Sequence, residues 1–334
     1  MNIKLARRPL LKLATALCLV ATTSFSLCAA AAQNWRFYIY LPSPTWNTAQ
    51  GLAKMSESFE GETKGELKVR MHLGGTLQIH AANITGAVAD GVVQMGDDAF
   101  YHGSMPFAGA IRLPMLIQTE KEFAQALEII RPYLEAAYAK KGVILLGQYS
   151  YPAQVSWSTK KLVTSTDMQG QKVRVTTPEQ GEFVKRFGGT PVTLGTPDIS
   201  SGLDRGVIDT VFTSSAPGAW GWRESFKYNY RLTVGYFDSN LIVNKTAFEK
   251  LSPESQATVR KIIKESVVSL TDVMQRDDDT TTIKMKEIMT VTVATEGDVK
   301  AATAKMEPYW NTWAKANGPE AVEIVAKLRA ALKR

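Results

Sequence analysis

Arg174 stands in the stretch GQKVRVTTPEQGEF, between two valines of a short β-prone run and just before a Thr-Thr-Pro turn. A guanidinium in such a run is costly to bury unless an anion meets it. Two readings follow from the residues alone: a surface charge on an edge strand, or a cation that takes a negatively charged ligand. Other candidates gather where strands end. Trp46 follows Pro42 and Pro44 in the first strand-to-helix turn, Phe100 and Tyr101 close a second strand, and Tyr236, Phe237 and Asp238 form a third group. Open α/β sheets bind ligands beyond the carboxyl ends of their strands, which makes these contact candidates, with local packing as the alternative. Asp238 suits either a ligand hydroxyl or the cap of a turn. Trp220 and Trp222 lie two apart, so one helix face cannot hold both. Trp220 at a cleft would suit a flat or aromatic ligand; core packing is its other fate.

Catalysis has little to rest on. His72, His80 and His102 are the three histidines, and none has a metal-ligand partner at helical spacing. Asp97 and Asp98 with His102 could in principle hold a metal, but the segment reads as a solvated loop. RDDDTTT at 276–282 reads as a solvated helix face. The chain has no G-x-S-x-G elbow, phosphate loop or dinucleotide fingerprint. The expectation is a non-enzyme with no metal and no cofactor.

The elements that must position these residues alternate. A β-rich opening at NWRFYIYLP precedes a helix from Thr48 to Lys64, then strand, helix, strand, and a helix from Glu120 to Lys141. GVILLGQYSYPAQVSWSTKKL holds two strand-like runs. The second half repeats the pattern, with KVRVT, TPVTL and VIDTVFTS as strands and LTVGYFDSNLIVNK as further strand. Ser252, Pro253 and Glu254 open a long helix, and 298–333 reads as helical throughout. Helical crossovers between strands imply a largely parallel α/β sheet in two halves, with long helices bracing them.

Residues 1–32 read as an export leader: a basic start, an apolar run and a closing stretch of alanines, with cleavage expected after Ala31 or Ala32. RRPLLK fits a twin-arginine signal, and an ordinary secretory signal fits equally. Both cysteines, Cys18 and Cys28, fall in the leader, so the mature chain has no disulfide or thiol chemistry. The formal charge of +7 comes from 39 basic and 32 acidic residues; losing Lys4, Arg7, Arg8 and Lys12 leaves about +3. That removes the main argument for a nucleic-acid partner. No later apolar run approaches the ~20 residues of a membrane span. A periplasmic monomer, not inserted in the membrane after cleavage, is expected.

Asp167, Gly170, Lys172, Arg174, Pro178, Gly189, Pro191, Val192 and Gly206–Asp209 follow one another in the order of a known pattern: Asp-x-x-Gly-x-Lys-x-Arg, a Pro, Gly-x-x-Pro-Val, then Gly-Val-x-Asp. This resembles the substrate-binding proteins of tripartite ATP-independent periplasmic (TRAP) transporters, the DctP-type family. ETKGELKVRMHLGGTLQ, VADGVVQMGD and LIVNKTAFEKLSPESQATV extend the resemblance over nearly all of the mature chain. It implies a two-lobed clamshell that closes on a small organic anion, with lobe 1 at about 33–152 plus part of the C-terminal region, lobe 2 at about 153–245, and bracing helices at about 253–334. It also implies that Arg174 grips the ligand carboxylate, that a membrane permease is the partner, and that an ion gradient drives uptake. A planar guanidinium fork suits that grip. Two positions depart from the pattern. Gln154 stands where some sialic-acid-binding members carry a second arginine, and Thr213, followed by Ser214, stands where many carry an asparagine. Neutral groups there favour one carboxylate over two and argue against sialic acid. A sensory protein that presents its ligand to a receptor, and an exported α/β enzyme acting on organic acids, are the alternatives.

Overall fold

A computed structural model describes residues 32–334, so the leader expected over the first residues lies almost wholly outside the described part. Trp35, Phe37 and Ile39 alternate inward along β1 (Gln33–Ile39), which the two following strands flank in parallel. Those strands are β2 (Leu67–His72) and β3 (Met95–Asp98), reached through helices α1 (Asn47–Glu62) and α2 (Ile84–Ala89). After α3 (Glu120–Lys140), capped by the Thr119 side chain, comes β4 (Val143–Ser158). A second parallel set follows: β5 (Lys172–Val175), α4 (Pro178–Arg186), β6 (Thr190–Thr193), α5 (Ile199–Asp204) and β7 (Thr210–Thr213). The chain returns through β8 (Tyr228–Asn244) and α6 (Lys245–Glu249), and ends in α7 (Pro253–Ile288), β9 (Thr290–Val293), α8 (Glu296–Ala316) and α9 (Pro319–Leu332).

One sheet holds every described strand, in the order β2-β1-β3-β8-β4-β7-β5-β6, with β9 also on β8. It is mixed rather than largely parallel. The two parallel sets are joined by β4 and β8, which run antiparallel to each other and to the strands beside them, apart from β9. The two runs expected between Gly142 and Leu162 are in fact one strand of 16 residues. Gly147 and Pro152, which look like breaks, are absorbed by register shifts. From Tyr151 to Gln154 the strand advances three residues while β8 advances two, Phe237 to Gly235. One residue of β4 is thereby left out of the ladder.

Two other expectations change. The helix read over 298–333 divides into α8 and α9, because Gly318 takes φ 95° and Pro319 starts a new helix. The RDDDTTT face of α7 is not simply solvated. Asp278 is buried and accepts from the backbone N–H groups of Ser215 and Ala216 while pairing with Arg231 at 3.4 Å. It fixes the loop that follows β7. No helix of the described residues is long and apolar enough to cross a membrane.

Gly147 permits α7 to lie directly on β4: a Cβ there would stand 2.7 Å from Ile263 and 2.8 Å from Val267. Gly147→Ala is therefore expected to destabilise the fold by about 1–3 kcal/mol through overpacking. Chemical unfolding of the two proteins checks this, and an unchanged midpoint would refute the contact.

Candidate functional site

The sequence KVRV forms β5 because its valines fill the core on one side, and Thr177 and Pro178 start α4 directly after it. Arg174 is thereby held at 3% exposure between β6 and β7. Its Nε donates to the Leu194 carbonyl at 3.1 Å, and one terminal nitrogen has no partner. Among the described residues no carboxylate pairs with it. Burial pushes the guanidinium down to about 10.

Arg112 is the instructive contrast. It is equally buried, but it pairs with Asp238, donates to the Asp238 carbonyl at 3.0 Å and lies 4.0 Å from the centre of the Phe237 ring. Tyr101 donates to the same Asp238 carboxylate at 2.7 Å and Gln148 at 2.8 Å. One buried arginine has its anion within the chain. The other opens onto a cavity.

That cavity opens to solvent and has a volume of about 50 Å³. Six aromatic residues wall it: Tyr40, Trp46, Phe100, Tyr151, Trp222 and Phe237. Trp46 meets Trp222 edge-to-face at 6.0 Å, and Phe100 meets Tyr40 at 5.5 Å and Phe237 at 5.6 Å. Arg174, Gln154, Thr176, Thr196, Thr213 and Ser214 supply its polar lining. Gly218 completes one wall at close range, since a Cβ there would stand 2.4 Å from the Thr213 hydroxyl. The lining combines one cation, several neutral polar groups and flat apolar faces. Such a lining has the chemistry to take a small anion, and its described residues include no histidine or carboxylate to act as a base.

Of the residues singled out in the sequence, Arg174, Gln154, Thr213, Ser214, Trp46 and Phe100 line this cavity. Four others lie elsewhere. Trp220 faces away, between Arg223 at 4.5 Å and Lys284 at 5.6 Å, and Trp222 takes the cavity side. Tyr101 and Asp238 form part of the Arg112 cluster, and Tyr236 stacks on Phe123 at 5.1 Å. Tyr40 and Tyr151 were missed as lining residues, whereas Phe237, a contact candidate in the sequence, does line the cavity. In a regular strand Tyr151 and Gln154, three apart, face opposite sides; the extra residue between them brings both to one cavity.

The solvated loop expected at Asp97 and Asp98 is also corrected, for both are fully buried on β3. Tyr149 donates to Asp97 at 2.9 Å alongside Ser239, and Asp98 accepts from Thr85 and from Tyr138 at 3.2 Å. Loss of solvent raises each carboxyl to about 7. Burial, with Arg112 nearby, drives His102 down to about 3. No group among the described residues could hold a metal ion. Asp97 is linked to the cavity by hydroxyls: Tyr40 donates to Tyr151 at 2.6 Å, and Tyr151 lies 3.4 Å from Tyr149.

Residues 40–316 match the model of the bacterial extracellular solute-binding protein family 7, DctP. The chain belongs to this family. Its members are solute-binding proteins rather than enzymes. Among curated relatives, the ectoine/5-hydroxyectoine-binding periplasmic protein UehA of Ruegeria pomeroyi is 27% identical over 84% of this chain and 85% of its own. The 2,3-diketo-L-gulonate-binding periplasmic protein YiaO of Escherichia coli K12 is 26% identical over 72% and 75%. Among solved structures, DctP7 of Bordetella pertussis, an extracytoplasmic solute receptor binding pyroglutamic acid, superposes with a TM-score of 0.82. It is 22% identical over 89% of this chain and 100% of its own. A TRAP periplasmic solute-binding protein of Chromohalobacter salexigens with bound D-glucuronate gives a TM-score of 0.81 at 19% identity, over 89% and 99%. The fold is thus the two-lobed one of TRAP solute-binding proteins.

The buried carboxyls give this family 7 protein a defined pH response. A carboxyl raised to about 7 keeps its proton in the folded state, while the unfolded chain loses it near pH 4. Its contribution to stability is therefore full below about pH 4 and lost as pH rises to about 7. Asp97→Asn removes that loss. The variant should gain on the wild type by up to about 1.4 kcal/mol per pH unit across this window, in unfolding curves taken from pH 5 to 8. His102 is present in both proteins and cancels, whereas Asp98, which the Asp97 charge also raises, falls in the variant and adds to the gain. Parallel stability profiles would contradict a buried, ionising Asp97.

Proposed function

We propose that this protein is the periplasmic receptor of a TRAP transporter for a small organic anion with one carboxylate, and that Arg174 grips that carboxylate. The observation that carries this reading is the charge of Arg174: buried, unmatched by any described acid, and facing a cavity. A carboxylate laid against the guanidinium offsets the desolvation already imposed on it, and in a water-poor site the pair is strong. Gln154, Thr213 and Ser214 add no second positive charge, which supports a monocarboxylate over a dicarboxylate. Pyroglutamate and D-glucuronate, named with two of the relatives, each carry one carboxylate.

Lobe 1, about residues 33–152 with part of the C-terminal region, contributes Tyr40, Trp46 and Phe100; lobe 2, about 153–245, contributes Arg174, Thr213 and Trp222. The bracing helices lie at about 253–334. Closing the two lobes removes water from the anion, and a membrane permease that favours the open form releases it. The export leader delivers the chain to the periplasm, where it acts as a monomer. Arg174→Ala is expected to weaken binding of the anion at least about 100-fold while leaving the unliganded fold intact. Mass spectrometry of acid released from the purified protein names the anion, and calorimetry with that acid reads the loss. Equal affinity in the two proteins would overturn the reading.

A further inference from the structure

Four of the polar groups around the cavity, Gln154, Tyr40, Ser214 and Thr176, are oriented by the protein behind them. The Gln154 amide nitrogen donates to the Pro152 carbonyl at 3.2 Å, and a carbonyl can only accept. The amide is thereby fixed, with its oxygen on the other side, and that oxygen accepts from no donor among the described residues. Gln154 itself is 4% exposed and lines the cavity. Tyr40 shows the same polarity. Its hydroxyl donates to Tyr151, Tyr151 adjoins Tyr149, and Tyr149 donates to Asp97, whose oxygen also takes the Ser239 hydroxyl. The Tyr40 and Tyr149 protons are thus committed to the protein, and the Tyr40 oxygen remains an acceptor. Ser214 donates to the Ala216 carbonyl at 2.8 Å and Thr176 to Gln180 at 2.8 Å. Their protons too are committed to the protein.

Arg174 is thus the charged donor of the lining, Gln154 and Tyr40 hold acceptors, and the Thr196 and Thr213 hydroxyls can serve as either. Val155 on β4 pairs with Thr213 on β7, and Val211 on β7 pairs with Arg174 on β5. Val211 also pairs with Trp157, three residues beyond Gln154, so Gln154 and Arg174 stand two strands apart and three residues along, about 14 Å between backbones, and both side chains line the same cavity. We propose that Gln154, seconded by Tyr40, reads a hydrogen-bond donor on the body of the anion, a hydroxyl or a lactam N–H. The ligand class is then hydroxy or lactam monocarboxylates, and acids without such a donor are rejected. Such an acid would leave the Gln154 oxygen desolvated and unpaired, which is how a polar site excludes an analogue lacking one group. This inference rests on the anion reading of Arg174.

The test uses two matched pairs of acids and calorimetry on the purified mature protein: L-lactate against propionate, and L-pyroglutamate against N-methyl-L-pyroglutamate. The wild type should prefer the donor-bearing member of at least one pair by about tenfold or more; the pair that discriminates tells a hydroxyl from an N–H. Gln154→Met should abolish that preference, by weakening the donor-bearing acid and leaving its partner unchanged. The wild-type comparison requires no variant to fold. Binding of both members of each pair with equal affinity, lost in Arg174→Ala, would overturn the donor inference and leave the anion reading standing. A preference that survives in Gln154→Met would overturn the assignment to Gln154. Failure of the wild type to bind any of the four acids would overturn the inference, and the anion reading falls with it if no carboxylate is recovered from the purified protein.

Discussion

The ladder between β4 and β8 is the constraint on which the rest depends. These two strands run through both halves of the sheet, so each half is hydrogen-bonded to the same pair. Around them the parallel sets β2-β1-β3 and β7-β5-β6 attach on opposite edges. The cavity takes residues from both sides: Tyr40 and Phe100 follow strands of the first set, and Arg174 and Thr213 belong to the second. Tyr151, Gln154 and Phe237 come from the crossing strands themselves. A shared ladder keeps these groups in register, interrupted only at its irregular steps.

Electrostatics then divides labour between two buried arginines. Arg112, with Asp238, Tyr101 and Gln148, forms a buried cluster in which the Asp238 carboxylate offsets its charge inside the chain. Removing one partner of such a cluster generally costs about 3–5 kcal/mol, which suits a structural role. Arg174 has the same chemistry but only a carbonyl for company. The difference lies not in residue type but in whether β3 and β8 supply a carboxylate nearby. Asp97 and Asp98 sit close to the first cluster and are fully buried, which leaves Arg174 as the free cation of the cavity among the described residues.

Much of this was legible in the sequence because it depends on local pattern. Alternation gave the strands, Ser252 marks a helix start, and the ordered Gly and Pro positions around Arg174 pointed to the family. Long-range pairing was harder to read. Nothing local distinguishes a 16-residue strand carrying bulges from two short ones, so the mixed sheet was read as largely parallel. For the same reason Tyr40 and Tyr151 passed as ordinary strand residues. Asp97 and Asp98 read as loop because two acids in succession normally seek water; Thr85, Tyr138, Tyr149 and Ser239, remote in sequence, supply the hydroxyls that satisfy them. Trp220 and Trp222 could not be ordered without knowing how the loop after β7 is pinned by Asp278.

The extra residue between Tyr151 and Gln154 has an evolutionary consequence. Side chains alternate along a strand, so gaining or losing one residue turns everything beyond it to the opposite face. In most proteins such a change would expose the core. Here a register shift already interrupts the ladder at that step, and a further large offset follows between Gln154 and Ser156, so a length change has somewhere to be absorbed. A change in the length of the strand at this step would therefore alter the side chain presented to the cavity, with the sheet around it left unchanged.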